Sequence, residues 1–82
     1  MTVKLVRKEK VLREFPSLGG KYRVRLLQDP RTKGKSLDIR EYVVDHNSGF
    51  EGFTRRGIRL SERAQVELLR HVLSELLRDL LL

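Results

Sequence analysis

A chain of 82 residues makes one small domain, and a domain of that size buries only about 60–65% of the surface its unfolded form exposes. The absence of cysteine excludes disulfides and thiolate metal sites, and with only two histidines, His46 and His71, far apart in the chain, a zinc site is not expected. No metal or cofactor is therefore expected, and self-association is the remaining means of enlarging the core. The charge is +7 at pH 7, but residues 1–59 hold 15 basic and 7 acidic side chains, whereas residues 60–82 hold 3 and 4. A basic body with a near-neutral tail points to a polyanion-binding surface on one part of the fold and a different task for the other.

Turn-forming residues cluster at 15–20, 29–35 and 45–49, cutting the first sixty residues into four stretches. Residues 3–14 read as a strand, with Val3, Leu5, Val6, Val11 and Leu12 among charges; the apolar parity changes midway, which allows a bulge. Residues 21–28 alternate, Tyr22, Val24 and Leu26 against Arg23, Arg25 and Leu27. Residues 37–45 set Leu37, Ile39 and Val43 against Asp38, Arg40, Tyr42 and Val44. Residues 50–60 form a fourth strand, in which Ile58 and Leu60 share a parity with Arg56 while Phe53, Arg55 and Arg59 take the other. The turns are too short for parallel crossovers, so the sheet is an antiparallel meander.

After Leu60 the period becomes helical, over residues 62–81, with Ser61 as N-cap and no Gly or Pro afterwards. Ala64, Leu68, Val72, Leu76 and Leu80 form one row and Leu69, Leu73, Leu77 and Leu81 a second. This band is wider than a four-stranded sheet needs: one row covers the sheet, the other meets a second copy of the helix. Leu69, Val72, Leu73, Leu76, Leu77 and Leu80 are the expected homodimer interface. The fold class is α+β, four antiparallel strands followed by one long C-terminal helix.

The alternation gathers Arg23, Arg25, Arg40, Tyr42, Phe53, Arg55 and Arg59 on the sheet face away from the helix, with Asp38 the one carboxylate among them. The loop adds Arg31, Lys33 and Lys35 at the rim. Arginine forks hold phosphate oxygens, and aromatic rings stack on bases that are reachable only when unpaired. Such a face favours single-stranded over duplex nucleic acid, since no basic helix is free to enter a major groove. Ordinary solvation of an outer sheet face is the bland alternative.

Asp38-Ile39-Arg40-Glu41-Tyr42, a turn with Gly49, and Arg55-Arg56-Gly57-Ile58-Arg59-Leu60-Ser61 running into a helix resemble the single-stranded-DNA-binding domain of the transcriptional coactivator positive cofactor four. Lys33-Gly34-Lys35 looks like that family's basic loop, and the resemblance covers about residues 20–72. It implies a curved four-stranded antiparallel sheet, a helix-mediated homodimer, and sequence-tolerant binding of single-stranded DNA in transcription, replication or repair. By position it implies roles for Lys33, Lys35, Arg40, Arg55 and Arg56 in nucleic-acid binding, with Gly57 as the glycine that lets the backbone bend. Val43 stands where the family often has a stacking Trp, and no aromatic precedes Lys33-Gly34-Lys35, so electrostatics would carry a larger share of affinity. Prokaryotic and phage members are compact like this chain, which implies a cytoplasmic, nucleoid-associated protein, or a nuclear one in a eukaryote. Pur-alpha-like and Whirly-like binders of single-stranded DNA or RNA share the outline.

A second class of function is a protein-interaction module whose basic face docks an acidic partner from the transcription machinery. An enzyme is not expected. His46 lies in a turn beside Asp45 without a nucleophile, Ser61 reads as a cap, and the glycines lack phosphate-loop spacing. No apolar run exceeds three residues, so neither a membrane span nor a signal-peptide core is expected, and the chain reads as soluble and intracellular.

Overall fold

The structure is a computed structural model that describes residues 9–81. Four strands, β1 (Lys10–Leu18), β2 (Tyr22–Gln28), β3 (Lys35–Asp45) and β4 (Phe50–Leu60), pair antiparallel in the order β1-β2-β3-β4, and α1 (Arg63–Leu81) follows. This is the expected meander with a terminal helix. The portion of the first strand expected at residues 3–8 lies outside the described residues.

The first strand departs from expectation at its end. It continues through Pro16 to Leu18, and the turn is confined to Gly19 and Gly20, whose φ angles of 63° and 73° suit glycine. Pro16 is tolerated because β1 is an outer strand and the register shifts between Phe15 and Leu18, so no ladder bond is lost. A second shift, between Val11 and Arg13, explains the change of apolar parity along the strand.

Cross-strand partners share a face, so the register fixes the two sides of the sheet. Val24 opposite Ile39, Leu26 opposite Leu37, and Ile39 opposite Ile58 define an apolar side. Arg23 opposite Arg40, Arg25 opposite Asp38, and Tyr42 opposite Phe53 define a cationic one. Between the pairs Arg40–Gly57 and Tyr42–Phe53, β4 carries two more residues than β3. An even insertion leaves the alternation in phase, and Phe53 and Arg59 stay on one side.

The N-cap of the helix is Glu62 and not Ser61. The Glu62 carbonyl accepts the first helical bond from Val66 N at 3.1 Å, and the Gln65 side chain accepts a bond from Glu62 N at 3.4 Å. This is the reaching-back half of a capping box, supplied by a Gln at the third helical position.

The larger correction concerns where the helix lies. Neither leucine row covers the sheet. Among the described apolar side chains of the helix Leu69 alone is half-buried, while Leu68, Val72, Leu73, Leu76, Leu77 and Leu80 are all exposed. A two-residue link joins β4 to α1, and Val66 and Leu69 of the helix lie beside Leu37 and Leu60 of the sheet. A radius of gyration of 15.8 Å reflects this extended arrangement, against about 12 Å for a compact chain of this length. Leu27 and Leu60 are the only buried apolar side chains among the described residues, and of the two only Leu27 is fully enclosed. One copy alone encloses almost no core.

Candidate nucleic-acid interface

The cationic side is organised around one carboxylate. Asp38, in the middle of β3, has no solvent exposure. Its Oδ2 accepts from Arg25 Nη2 at 3.2 Å; its Oδ1 accepts from Arg40 Nε and Nη2, each at 3.2 Å, and from Arg59 Nε at 3.3 Å. The three arginines come from β2, β3 and β4, and the register alone brings them together. Burial opposes ionisation of Asp38, but hydrogen bonds from Arg40 and Arg25 and the charges of Arg40 and Arg59 outweigh it and hold the carboxyl below its ordinary value. Arg40 Nη1 also donates to the Arg55 carbonyl at 3.0 Å, tying β3 to the irregular part of β4. Arg59 reaches the other way, to Glu9 at 2.9 Å.

Beside this cluster stand two aromatic rings, each capped by a guanidinium. The Arg23 guanidinium carbon lies 3.8 Å from the Tyr42 ring centre and that of Arg25 lies 4.0 Å from the Phe53 ring centre. Tyr42 and Phe53, directly opposite across β3 and β4, meet edge to face with centroids 5.0 Å apart. The result is two ring–guanidinium contacts side by side, on rings that stand nearly perpendicular, at 79°. Tyr42 Oη donates to Glu51 Oε2 at 2.7 Å; that hydrogen bond, with burial and the Glu51 charge, raises the phenol above its ordinary value. The rings are thus not bare: each carries a guanidinium over its π face.

The rim is cationic. In the β2–β3 loop, Asp29 Oδ1 accepts from Arg31 N at 2.8 Å, and Lys33 N donates to the Asp29 carbonyl at 2.8 Å. This turn forces Lys33 to φ 65°, a left-handed conformation that a residue with a Cβ adopts at a cost. Arg31, Lys33 and Lys35 are exposed there. In the β3–β4 loop, Asp45 accepts from Ser48 Oγ at 2.9 Å and Asn47 N at 3.0 Å, bonds that lower its pKa.

The insertion in β4 places Thr54, Arg55 and Arg56 against Glu41 alone. Glu41 is buried on the apolar side, accepts from Thr54 Oγ1 at 2.8 Å and pairs with Lys21 at 3.1 Å. The Thr54 and Lys21 hydrogen bonds, then the charges of Lys21 and Arg56, hold its pKa down against burial. Gly57 follows because β3 presses on it: a Cβ there would lie 2.4 Å from the Ile39 carbonyl oxygen.

Of the residues singled out by sequence, Arg23, Arg25, Arg40, Tyr42, Phe53 and Arg59 converge on one open face. Arg31, Lys33 and Lys35 lie together in the loop at the Lys35 end of β3. Arg55 and Arg56 sit exposed in the β4 insertion, Arg55 joined to the cluster through its carbonyl. Sequence reading missed Glu9 and Glu51, which cap Arg59 and Tyr42, and Glu14, 3.9 Å from Arg23. The Glu51 role was open to detection, since β3–β4 pairing puts it diagonal to Tyr42; Glu9 carried no signal. Among the described residues no cluster of acidic and histidine side chains could hold a metal ion, and no helix is long and apolar enough to cross a membrane. No family model matches the chain, and no curated protein or solved structure matches it either.

Proposed function

We propose that the chain is a sequence-tolerant single-stranded-DNA-binding protein that works as a homodimer, of the type of positive cofactor four, in transcription regulation, replication or repair. The observation that carries this reading is the pair of ring–guanidinium stacks, Arg23 on Tyr42 and Arg25 on Phe53, beside Arg40 and Arg59 on an uncovered sheet. Guanidinium edges take phosphate oxygens, and their planes stack on unpaired bases. An acidic protein partner would engage the forks and leave the rings idle, so the rings favour nucleic acid.

The dimer follows from the opposite side. Exposed leucines on α1 and the half-open apolar face beneath it, with Ile58 52% exposed, need a cover that one chain does not supply. A second α1 presents the complementary apolar band, which leaves both cationic faces directed outward.

The test is a competition titration of purified protein against single-stranded DNA, duplex DNA and RNA of equal length at two salt concentrations. Neutralising about five phosphates of a single strand gives a slope of log K against log salt of about −3 to −4. Single strands should outcompete duplex at both concentrations. Equal affinity for duplex, or a slope near zero, would refute the reading.

A further inference from the structure

Asp38 is out of place on a face meant for a polyanion. It removes one positive charge from the centre of the cationic surface, and an Asn there would serve the strand equally well in size. Yet it is the best-satisfied side chain on the sheet, with four hydrogen bonds from three guanidiniums and no exposure to water. Its partners are placed differently. The side chains of Arg25, Arg40 and Arg59 retain 17%, 21% and 40% exposure, so each turns part of its fork outward while another part is fixed. Arg25 is held tightly enough that its Nε is buried with no hydrogen-bond partner, a position that a guanidinium free to turn toward water would leave.

We propose that Asp38 is a positioning residue for nucleic-acid binding: it lowers the charge of the face but raises its affinity, by locking Arg25, Arg40 and Arg59 into one fan and seating Arg25 over Phe53. The inference rests on the single-stranded-DNA reading of this face. The physical reason is pre-organisation. Three like charges carried by long side chains on adjacent strands repel one another and swing toward water, and binding must then re-order each of them. A buried carboxylate shared by all three removes that step before the ligand arrives. Tolerating an unpartnered Nε on Arg25 fits a constraint set by binding rather than by stability.

The sign of the effect separates this from simple charge counting. Asp38→Asn keeps the shape and makes the face one unit more positive. Charge counting requires tighter binding and a steeper salt slope; positioning requires weaker binding, by about ten-fold, the scale of one misplaced charge-assisted contact, with a shallower slope. Asp38→Glu leaves the net charge unchanged but displaces the carboxylate, and is expected to weaken binding as well. Both are measured by fluorescence anisotropy with an oligothymidine strand, alongside urea melts that establish folding. Wild-type protein that fails to bind the strand removes the reading of the face itself. Wild-type binding with equal or tighter binding by folded Asp38→Asn overturns the positioning role alone. Should both variants unfold, the side-chain Nε–H resonances of Arg40 and Arg59 in the wild-type protein decide. Slow solvent exchange in the free protein, retained when the strand binds, supports the role; fast exchange, or release from Asp38 on binding, overturns it.

Discussion

Replacing Gly57 by Ala tests the junction between the sheet's irregular strand and its arginine cluster. A Cβ at this position would lie 2.4 Å from the Ile39 carbonyl oxygen, 2.8 Å from Arg40 Cα and 3.2 Å from Arg40 Cβ. Carbon–oxygen contacts across a sheet ordinarily begin near 3.3 Å, so β3 and β4 would have to part by about 1 Å where Arg40 faces Gly57. The obstacle is backbone, which cannot swing aside. Overpacking of this kind costs about 2–3 kcal/mol. With a urea m-value of about 1–2 kcal/mol/M for a small protein, the midpoint should fall by about 1–2 M with m unchanged. Gly52→Ala is the matched control, because its Cβ would meet only the Phe50 ring edge, at 3.4 Å. That change should stay within about 0.5 kcal/mol of wild type or gain slightly from a stiffer unfolded chain. Both variants are measured at one protein concentration, since stability linked to association varies with it. Equal midpoints for Gly57→Ala and Gly52→Ala would refute the close-approach argument.

Further outcomes follow from other parts of the molecule. Leu73→Asp combined with Leu77→Asp should abolish association and with it the fold, because among the described residues one chain buries no apolar side chains but Leu27 and Leu60; wild-type Tm should rise with protein concentration, and a concentration-independent Tm with sedimentation at 9.6 kDa would contradict this. Lys33→Gly should relieve the left-handed backbone and stabilise by about 0.5–1 kcal/mol while reducing the salt slope for single-stranded DNA by about 0.7; a lower Tm would argue against the strain. Asp38, Glu41 and Asp45 have pKa values depressed from 3.8, 4.5 and 3.8, so the folded state binds fewer protons than the unfolded chain in acid. Their stabilising contributions are fully present above those values and are lost as pH falls through the lower folded ones, so stability should be flat from about pH 8 to 6 and decline steeply below about pH 4.5. A flat urea midpoint from about pH 6 to 3 would show that these carboxylates are not held as described.

Period-two alternation made the sheet and its two faces legible. Arg23, Arg25 and Arg40 sit in unbroken ladder segments, where parity translates directly into side. Phe53 and Arg59 were placed together for a less secure reason, since the β4 insertion between them adds an even number of residues, and one residue more or fewer would have separated them. The β1 end was misread because Pro16 and Ser17 carry a turn composition, and only an outer strand with a register shift accepts them. The helix was legible as an element and not as a location. Its leucine rows record how much apolar surface the helix carries, whereas their periodicity says nothing of what that surface meets, and most of these leucines are exposed. The central role of Asp38 could not be read from spacing, because three guanidiniums from three strands meet there only through the register. The ring–guanidinium stacks were hidden for the same reason: alternation puts Arg23 and Tyr42 on one side, but their distance of 3.8 Å depends on pairing and twist.

The interruptions in the two outer strands have a consequence for behaviour at high concentration. Fibrous aggregation needs a long, straight row of free backbone donors and acceptors on which another chain can template. On β1 that row is broken by Pro16, which has no N–H, and by two register shifts; on β4 it is broken by the insertion bearing Arg55 and Arg56. Neither margin offers a foreign strand an uninterrupted, uncharged run. The uncovered leucines of this molecule lie on the helix instead, so its stickiness falls there and not along the strand margins.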